Sequence, residues 1–208
     1  MTGGGTSGAG KAARGIPPAP DPLPIDVVDN HLHLDIARHG EERGDVGETI
    51  AAAAAVGVPR MVQIGCDLPG ARLTIGMIEE YAALLGGVAL HPNEIARFES
   101  QAALADGLAE IERLAAHPRV RVVGETGLDY FRTGPEGQPA QQDAFRWHID
   151  LSKRLGKTLQ IHDRDAHDDV LRILDEEGAP ERTVLHCFSG DVGMAQRAVE
   201  RGLYLSFA

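Results

Sequence analysis

Short apolar runs alternate with amphipathic stretches along the chain from Ile25 onward. The runs are rich in Val, Ile and Leu and carry few charges, as is typical of strands that are buried on both faces. They predict seven strands, at residues 25–30, 60–65, 86–90, 120–124, 157–161, 183–186 and 203–207.

Four of the intervening stretches show helical periodicity, with apolar side chains repeating on one face. Each of them is followed at once by Pro or Gly, residues that commonly terminate helices. Asp191 is a suitable N-cap for the last one. The predicted helices cover residues 99–117, 139–155, 165–177 and 191–201.

This alternation predicts an α/β protein with a parallel sheet and right-handed crossovers. We interpret it as a (β/α)8 TIM-barrel type of fold, with about seven strands present in this chain. A doubly wound open sheet is the alternative. That fold usually has a Gly-rich phosphate loop after the first strand, whereas this chain has HLHLD at 31–35.

The chain divides into two parts by composition. Residues 1–24 consist largely of Gly, Ala, Pro, Ser and Thr, and we expect a disordered low-complexity tail there. Residues 25–208 are expected to form one domain. Since a complete barrel typically needs about 250 residues, the 208 residues of this chain suggest a barrel that is incomplete at its C-terminal end.

Charge and cysteine content narrow the functional classes. A net charge of −11 argues against a protein that grips duplex DNA along a basic face. It is compatible with a nuclease that holds a few phosphates. Cys66 and Cys187 form no CxxC pair, so a reduced, cytoplasmic location is expected. No apolar stretch approaches the ~20 residues of a membrane span, and no obligate protein partner is indicated.

Four histidines and one glutamate follow or end predicted strands. His31 and His33 are two apart, so their side chains project to the same side of a strand. Glu125 follows VRVVG, His162 follows TLQI and His186 follows TVL. Because the carboxyl ends of barrel strands meet at one face, these residues predict a metal site.

Each candidate ligand also has a plainer interpretation. The HxH pair could simply be polar residues that finish a strand, and Glu125 could pair with an arginine. His162 and His186 could be hydrogen-bonded core histidines. Imidazole suits zinc, manganese, nickel or iron, whereas magnesium prefers oxygen. We therefore expect one or two divalent ions of unspecified identity per chain, a pair being about 3.5–4 Å apart.

Two further residues are candidates for contact with the substrate. His91 lies at the end of the third predicted strand, in ALHPN. Arg164, in HDRDA, could hold a phosphate through two parallel hydrogen bonds. Its alternative is an ion pair with Asp163 or Asp165. The remaining histidines are expected at the surface, and they are His39, His117, His148 and His167.

Five strings resemble, in the same order, the motifs of the TatD family of metal-dependent hydrolases, which are amidohydrolase-like TIM barrels. The strings are HLHLD (31–35), ALHP (89–92), GETGLDY (124–130), IHDRDA (161–166) and LHCFSG (185–190). GETGLDY and LHCFSG are the most specific of them. The resemblance extends from about Ile25 to the last residue.

The resemblance implies a divalent-metal site built from the five candidate ligands, with Glu125 bridging two cations. Glu125, His91 and Arg164 are the catalytic candidates that it suggests. Members of the family act as deoxyribonucleases, often as 3′ exonucleases on single strands, and a related group hydrolyses D-aminoacyl-tRNA. The family's eighth strand supplies an aspartate ligand, and no residue of this chain corresponds to it.

We therefore expect a divalent-metal-dependent hydrolase that cleaves phosphodiester bonds of DNA, as a TatD-type exonuclease on single-stranded ends. Two alternatives stay open. One is a catalytically silent truncated remnant that binds metal or a partner. The other is an ester or amide hydrolase such as a D-aminoacyl-tRNA deacylase.

Overall fold

The computed structural model describes residues 18–36 and 44–207, and it places seven parallel strands in one sheet. The strands follow one another across the sheet in chain order. They are β1 (Val28–Leu32), β2 (Arg60–Gly65), β3 (Leu84–Val88), β4 (Val120–Asp129), β5 (Thr158–Arg164), β6 (Thr183–Leu185) and β7 (Tyr204–Leu205).

Helices connect the strands throughout the described residues. They are α1 (Val46–Ala55), α2 (Leu68–Glu80), α3 (Pro92–Ile95), α4 (Gln101–Ala115), α5 (Gln138–Leu155), α6 (His167–Glu177) and α7 (Val192–Glu200). Asp191 caps α7, as predicted, because its side chain accepts the N–H of Met194 at 2.8 Å. Gly156 ends α5 in the left-handed conformation, with φ of 62°.

The strand order decides between the two folds considered. A doubly wound sheet reverses its strand order at a switch point, whereas here every strand pairs in parallel with the next one along the chain. The α/β, TIM-barrel type of fold is therefore confirmed. In the described sheet β1 and β7 are the edges, and Val28 and Tyr204 on them are 57% and 61% exposed.

The apolar core lies on both faces of the sheet. The larger cluster packs the helices against the strands and includes Phe145 of α5 and Ile111 of α4, both fully buried. A smaller cluster of Val62, Ile64 and Val122 occupies the opposite face. Because strand side chains alternate between the two faces, a residue that follows β2 at even spacing from Ile64 also directs its side chain to this second face.

Two strands, β4 and β5, are longer than the sequence predicted. β4 continues to Asp129 because its second half pairs with β5, Thr126 opposite Ile161 through Asp129 opposite Arg164. The register shifts after Val123, and the predicted strand had ended at residue 124. β1 begins at Val28 rather than at residue 25. Glu125 therefore lies inside a strand and does not follow one.

Some expectations lie beyond what the structure describes. The disordered tail was predicted for residues 1–24, and 1–17 of these are outside the described residues, so the tail and the boundary at residue 25 stay predictions. Among the described helices, none combines the length and the hydropathy needed to cross a membrane. The cytoplasmic location also stays a prediction.

Candidate metal centre

The two histidines of the HxH motif direct their Nε2 atoms toward each other, 3.1 Å apart. His31 Nδ1 donates to Gln160 Oε1 at 2.9 Å, since the Gln160 amide donates to the Asn30 carbonyl. His33 Nδ1 donates to the carbonyl of Ile64 at 3.0 Å. Both Nδ1 atoms thus carry the proton of a neutral ring, which leaves a lone pair on each Nε2.

Two facing lone pairs repel each other unless a cation lies between them. Nitrogen ligands about 2.1 Å from a zinc ion at ordinary coordination angles are about 3.0–3.4 Å apart. The observed separation of 3.1 Å agrees with that spacing. The outer hydrogen bonds of His31 and His33 are those that usually orient metal-bound imidazoles. This pair therefore fits a divalent cation.

Glu125 is 6% exposed and lies between two groups of imidazoles. Its Oε2 is 3.4 Å from His31 Nε2 and 4.0 Å from His33 Nε2. Its Oε1 is 2.8 Å from His162 Nδ1 and 3.8 Å from His91 Nε2. Among the described residues no lysine or arginine lies within ion-pair distance of it. The arginine alternative for Glu125 therefore finds no support in residues 18–36 and 44–207.

Two effects of opposite sign act on the pKa of Glu125. Burial would raise it, but the imidazoles of His162 and His31 lower it by a larger amount, and the net pKa is well below the usual range for a glutamate. The side chain is therefore an anion at neutral pH. A buried anion whose partners are imidazoles and a thiol, all of them possible metal ligands, is a strong candidate to ligate a cation.

His186 adjoins the same site. Its ring stacks on that of His31, with centroids 3.4 Å apart and 7° between the planes. Burial lowers its pKa to about 4, so the ring is neutral at pH 7. His186 Nδ1 is buried and has no hydrogen-bond partner among the described residues. A nitrogen of this kind is available to a metal ion.

The part of the chain that the structure describes contains three groups of possible metal ligands. Within each group, one donor atom per side chain lies within 4.8 Å of the donor atoms of the other members. Glu125 belongs to all three. The groups are His31 with Glu125 and His186, His33 with Cys66 and Glu125, and His91 with Glu125 and His162. The structure thus brings together all five ligands that the sequence predicted, and it adds His91 and Cys66.

Asp129 is a site residue that sequence reasoning missed. It is 1% exposed, and its Oδ2 lies 3.2 Å from His162 Nε2. Burial would lower the pKa of His162, but the bonds to Glu125 and Asp129 outweigh it and raise that pKa. Asp129 also caps the following turn by accepting the Arg132 N–H. Its even spacing from Glu125 would have placed both on one face, had the strand's full length been known.

His91 is a hydrogen-bond donor toward the site. Its Nδ1 accepts the N–H of Asn93 at 3.1 Å, so the proton of the neutral ring is on Nε2, which faces Glu125. Burial lowers the pKa of His91 to about 4. A neutral ring with its proton on Nε2 suits contact with a substrate oxygen better than it suits ligation of a metal.

Arg164 is the last residue of β5, and its guanidinium carbon lies 3.8 Å from the centroid of the Phe131 ring. Phe131 is 62% exposed. The suggested ion pair with Asp163 or Asp165 is wrong, since the Asp163 carboxylate bonds to His167 instead. Within the described residues, the Arg164 cation has no carboxylate partner.

The surface prediction for the remaining histidines needs one correction. His148 is fully buried in α5, where its Nε2 accepts the Leu90 N–H and its Nδ1 donates to the Ala144 carbonyl. Helical periodicity would have placed it beside the buried Phe145 and Ile149. His117 and His167 are partly exposed, and His39 lies outside the described residues.

A TIM-barrel type of sheet with imidazoles and a buried carboxylate converging beside the strands defines a class of metal-dependent hydrolases. A model of the family described as TatD related DNase matches residues 28–208. The chain belongs to this family, and the resemblance noted in the sequence is confirmed.

Relatives and solved structures agree with this assignment. A Mycobacterium tuberculosis protein named "Uncharacterized metal-dependent hydrolase TatD" is 43% identical over 88% of this chain and 68% of its own length. A Cronobacter turicensis protein named "3'-5' ssDNA/RNA exonuclease TatD" is 33% identical over 77% of this chain and 59% of its own length. The crystal structure of YJJV, a TatD homologue from Escherichia coli K12, superposes with a TM-score of 0.74 at 26% identity and covers 86% of this chain and 66% of that one. The chain thus spans about two thirds of the length of such relatives.

Proposed function

We propose that this metal-dependent hydrolase cleaves phosphodiester bonds of DNA and removes nucleotides from the 3′ ends of single strands. The observation that carries the proposal is the buried Glu125 carboxylate, which is shared between imidazoles on both of its oxygens. A bridging carboxylate of this kind is typical of two-metal sites for phosphoryl transfer. The proposed metal ligands are His31, His33, Glu125, His162 and His186.

Residues on both sides of the Glu125 carboxylate would hold the proposed cations. His31 and His33 face Glu125 Oε2, and His162 faces Oε1. The imidazole-rich donor set favours zinc, manganese, nickel or iron over magnesium. Such ions, when bound, supply a hydrolytic nucleophile at neutral pH and polarise a phosphoryl oxygen.

Two side chains would bind the scissile phosphate. His91 would donate its Nε2 proton to a phosphate oxygen, because its Nδ1 is already engaged by the Asn93 N–H. Arg164 would add two parallel hydrogen bonds from its guanidinium. The Phe131 ring lies against the Arg164 guanidinium, and no carboxylate in the described part of the chain pairs with this cation.

A third side chain has a positioning role. Asp129 bonds to His162 Nε2, and its own carboxylate is held by the Asn93 amide at 2.8 Å. These bonds fix the His162 ring against Glu125, as outer carboxylates commonly do for metal-bound histidines. Asn93 also fixes His91 through its backbone N–H, so one residue connects the metal side and the phosphate side of the site.

The substrate class is supported by charge and by a relative. A chain of net charge −11 has little attraction for the face of a duplex, whereas a strand end can reach a recessed site with few phosphate contacts. The name of the Cronobacter turicensis relative describes a 3′-to-5′ exonuclease on single-stranded DNA and RNA. We therefore propose single-stranded ends as the substrate.

The test is cleavage of single-stranded oligonucleotides labelled at the 3′ or the 5′ end, with and without a chelator. We expect stepwise loss from the 3′ end that the chelator and His31→Ala abolish. His117→Ala is a matched control, since His117 is another partly buried histidine with a carboxylate neighbour, Glu79, and it lies in none of the ligand groups.

Three results would contradict the proposal. Cleavage that neither the chelator nor His31→Ala affects would remove the metal from the reaction. Bound metal without cleavage of any oligonucleotide would favour the silent-protein alternative. Faster hydrolysis of an aminoacyl-tRNA ester than of the oligonucleotide would favour the deacylase alternative.

A further inference from the structure

Cys66 follows β2 directly and lies against the candidate metal centre. Its Sγ is 3.6 Å from Glu125 Oε2, and it forms one of the close donor groups with Glu125 and His33. The backbone holds it in place, because the Cys66 carbonyl accepts the His91 N–H at 2.8 Å. The function proposed above assigns no role to a thiol at this position.

Strand alternation directs this thiol to the face of the sheet that bears the site. Cys66 packs against Val62 and Ile64, which precede it at even spacing on β2 and form the smaller apolar cluster. His33, which follows β1, is hydrogen-bonded to β2, because its Nδ1 donates to the Ile64 carbonyl. Both side chains are therefore fixed relative to β2.

One donor atom each of His33, Cys66 and Glu125 lies within 4.8 Å of the other two, and His31 adjoins this group through His33 and Glu125. The separations are 3.1 Å for His31 Nε2 to His33 Nε2, 3.4 and 4.0 Å from these atoms to Glu125 Oε2, and 3.6 Å from Oε2 to Cys66 Sγ. Zinc–nitrogen bonds of about 2.0–2.1 Å and a zinc–sulfur bond of about 2.3 Å give donor separations of roughly 3.3–3.7 Å in a tetrahedron. The four observed separations, 3.1 to 4.0 Å, are close to this range.

We propose that Cys66 is a thiolate ligand of the metal position formed by His31, His33 and Glu125, and that it makes this position selective for zinc over magnesium. The inference rests on the proposed metal site. When the metal–sulfur bond forms, the sulfur–hydrogen bond breaks and the proton leaves to solvent. A soft sulfur ligand strengthens binding of zinc-type ions and does little for magnesium, which prefers oxygen.

A thiol that only donates a hydrogen bond to Glu125 would have different consequences. Its removal would weaken zinc and magnesium binding alike, through the carboxylate. A direct ligand, in contrast, gives its own spectroscopic signature and discriminates between the two metals. The chain has only two cysteines, so each can be removed separately.

The experiment is titration of the metal-free full chain with cobalt(II), followed by absorption spectroscopy. We expect a near-ultraviolet charge-transfer band from sulfur to cobalt together with visible ligand-field bands. Cys66→Ser should lose the charge-transfer band and keep the visible bands. Cys187→Ser is the matched control and should keep both, because exposed Cys187 belongs to none of the close donor groups.

Competition titrations supply the second readout. Loss of an outer-sphere partner already lowers metal affinity by about 10–100-fold, so we expect Cys66→Ala to lower zinc affinity by at least about tenfold. Magnesium affinity should change far less. An equal loss for both metals would overturn the selectivity.

The outcomes separate this inference from the proposed function. Visible cobalt bands without a charge-transfer band in the unaltered chain would overturn the role of Cys66 and leave the metal site intact. A charge-transfer band that survives Cys66→Ser and disappears in Cys187→Ser would also overturn it. Absence of any cobalt binding would overturn both proposals.

Discussion

Two carboxylates in this molecule, those of Asp175 and Glu125, have opposite surroundings. Asp175 in the helical layer is about half exposed and receives two hydrogen bonds from Arg201, at 2.8 and 2.7 Å. Glu125 in β4 is almost fully buried, and imidazoles and the Cys66 thiol lie near its oxygens. The first arrangement is complete within the chain, whereas the second fits an additional cation.

The difference distinguishes an ion pair whose role is structural, in the helical layer, from a carboxylate at the candidate site that suits metal binding. An exposed bidentate ion pair contributes little to the free energy of unfolding, because solvent screens it. A buried carboxylate is costly unless charge and hydrogen bonds compensate it. In this chain the compensation comes from side chains that are also good metal ligands, so the cost is concentrated at the candidate site.

The largest effect is expected for Glu125→Gln. Gln keeps the size of the side chain but removes the anion that both groups of imidazoles share, so metal affinity and cleavage rate should each fall by more than about 100-fold. Metal content and oligonucleotide cleavage measure this. Full metal loading in the variant would contradict the bridging role of Glu125.

Arg164→Ala should have the next largest effect. A charge-assisted hydrogen bond contributes about 1.5–3 kcal/mol, which corresponds to a loss of roughly 10–100-fold in kcat/KM. Metal content should stay unchanged, since Arg164 is not a ligand. Arg154→Ala, which removes an exposed helical arginine paired with Glu112 and Asp150, is the control that should leave kcat/KM intact.

A pH effect on stability should come from His148. Burial lowers its pKa to about 4 in the folded chain, against about 6.5 when unfolded. The unfolded chain therefore binds more protons between these values, and stability falls as pH decreases from 6.5 toward 4. From pH 7.5 to 5 this residue should account for about 2 kcal/mol.

His148→Gln tests that contribution, because Gln retains one donor and one acceptor for Ala144 and Leu90. Denaturant unfolding at both pH values should show a smaller loss on acidification for the variant than for the unaltered chain. Equal losses would show that His148 does not titrate in this way.

The smallest effect is expected for Arg201→Ala. Removing the exposed pair with Asp175 should lower the free energy of unfolding by no more than about 1 kcal/mol and leave metal binding unchanged. Chemical denaturation measures the first and metal titration the second. A loss of several kcal/mol would contradict the view that this exposed ion pair contributes little to the free energy of unfolding.

Much of the fold was predictable because its signals are local. The apolar runs of β2 and β5 and the capping residues around α5 and α7 reflect short-range burial and hydrogen bonding, and the structure has them close to their predicted positions. The full length of β4 was not predictable, since its second half is held by pairing with β5 rather than by its own pattern.

The candidate site divides in the same way. The five ligands were found because each is a metal-binding residue type at the end of a predicted strand, and the order of the motifs matched a family. Asp129 and Cys66 were assigned no ligand role, because their importance depends on which side chains lie opposite them in space. His148 was misjudged, because its polarity outweighed its position on an apolar helix face.

The most direct test of the central claim is a crystal structure of the zinc-loaded chain with anomalous scattering data collected at the zinc edge. We predict an anomalous peak within bonding distance of His31 Nε2, His33 Nε2 and Glu125 Oε2, and none at the amino ends of the strands. Zinc bound elsewhere, with these three side chains turned away from one another, would contradict the account.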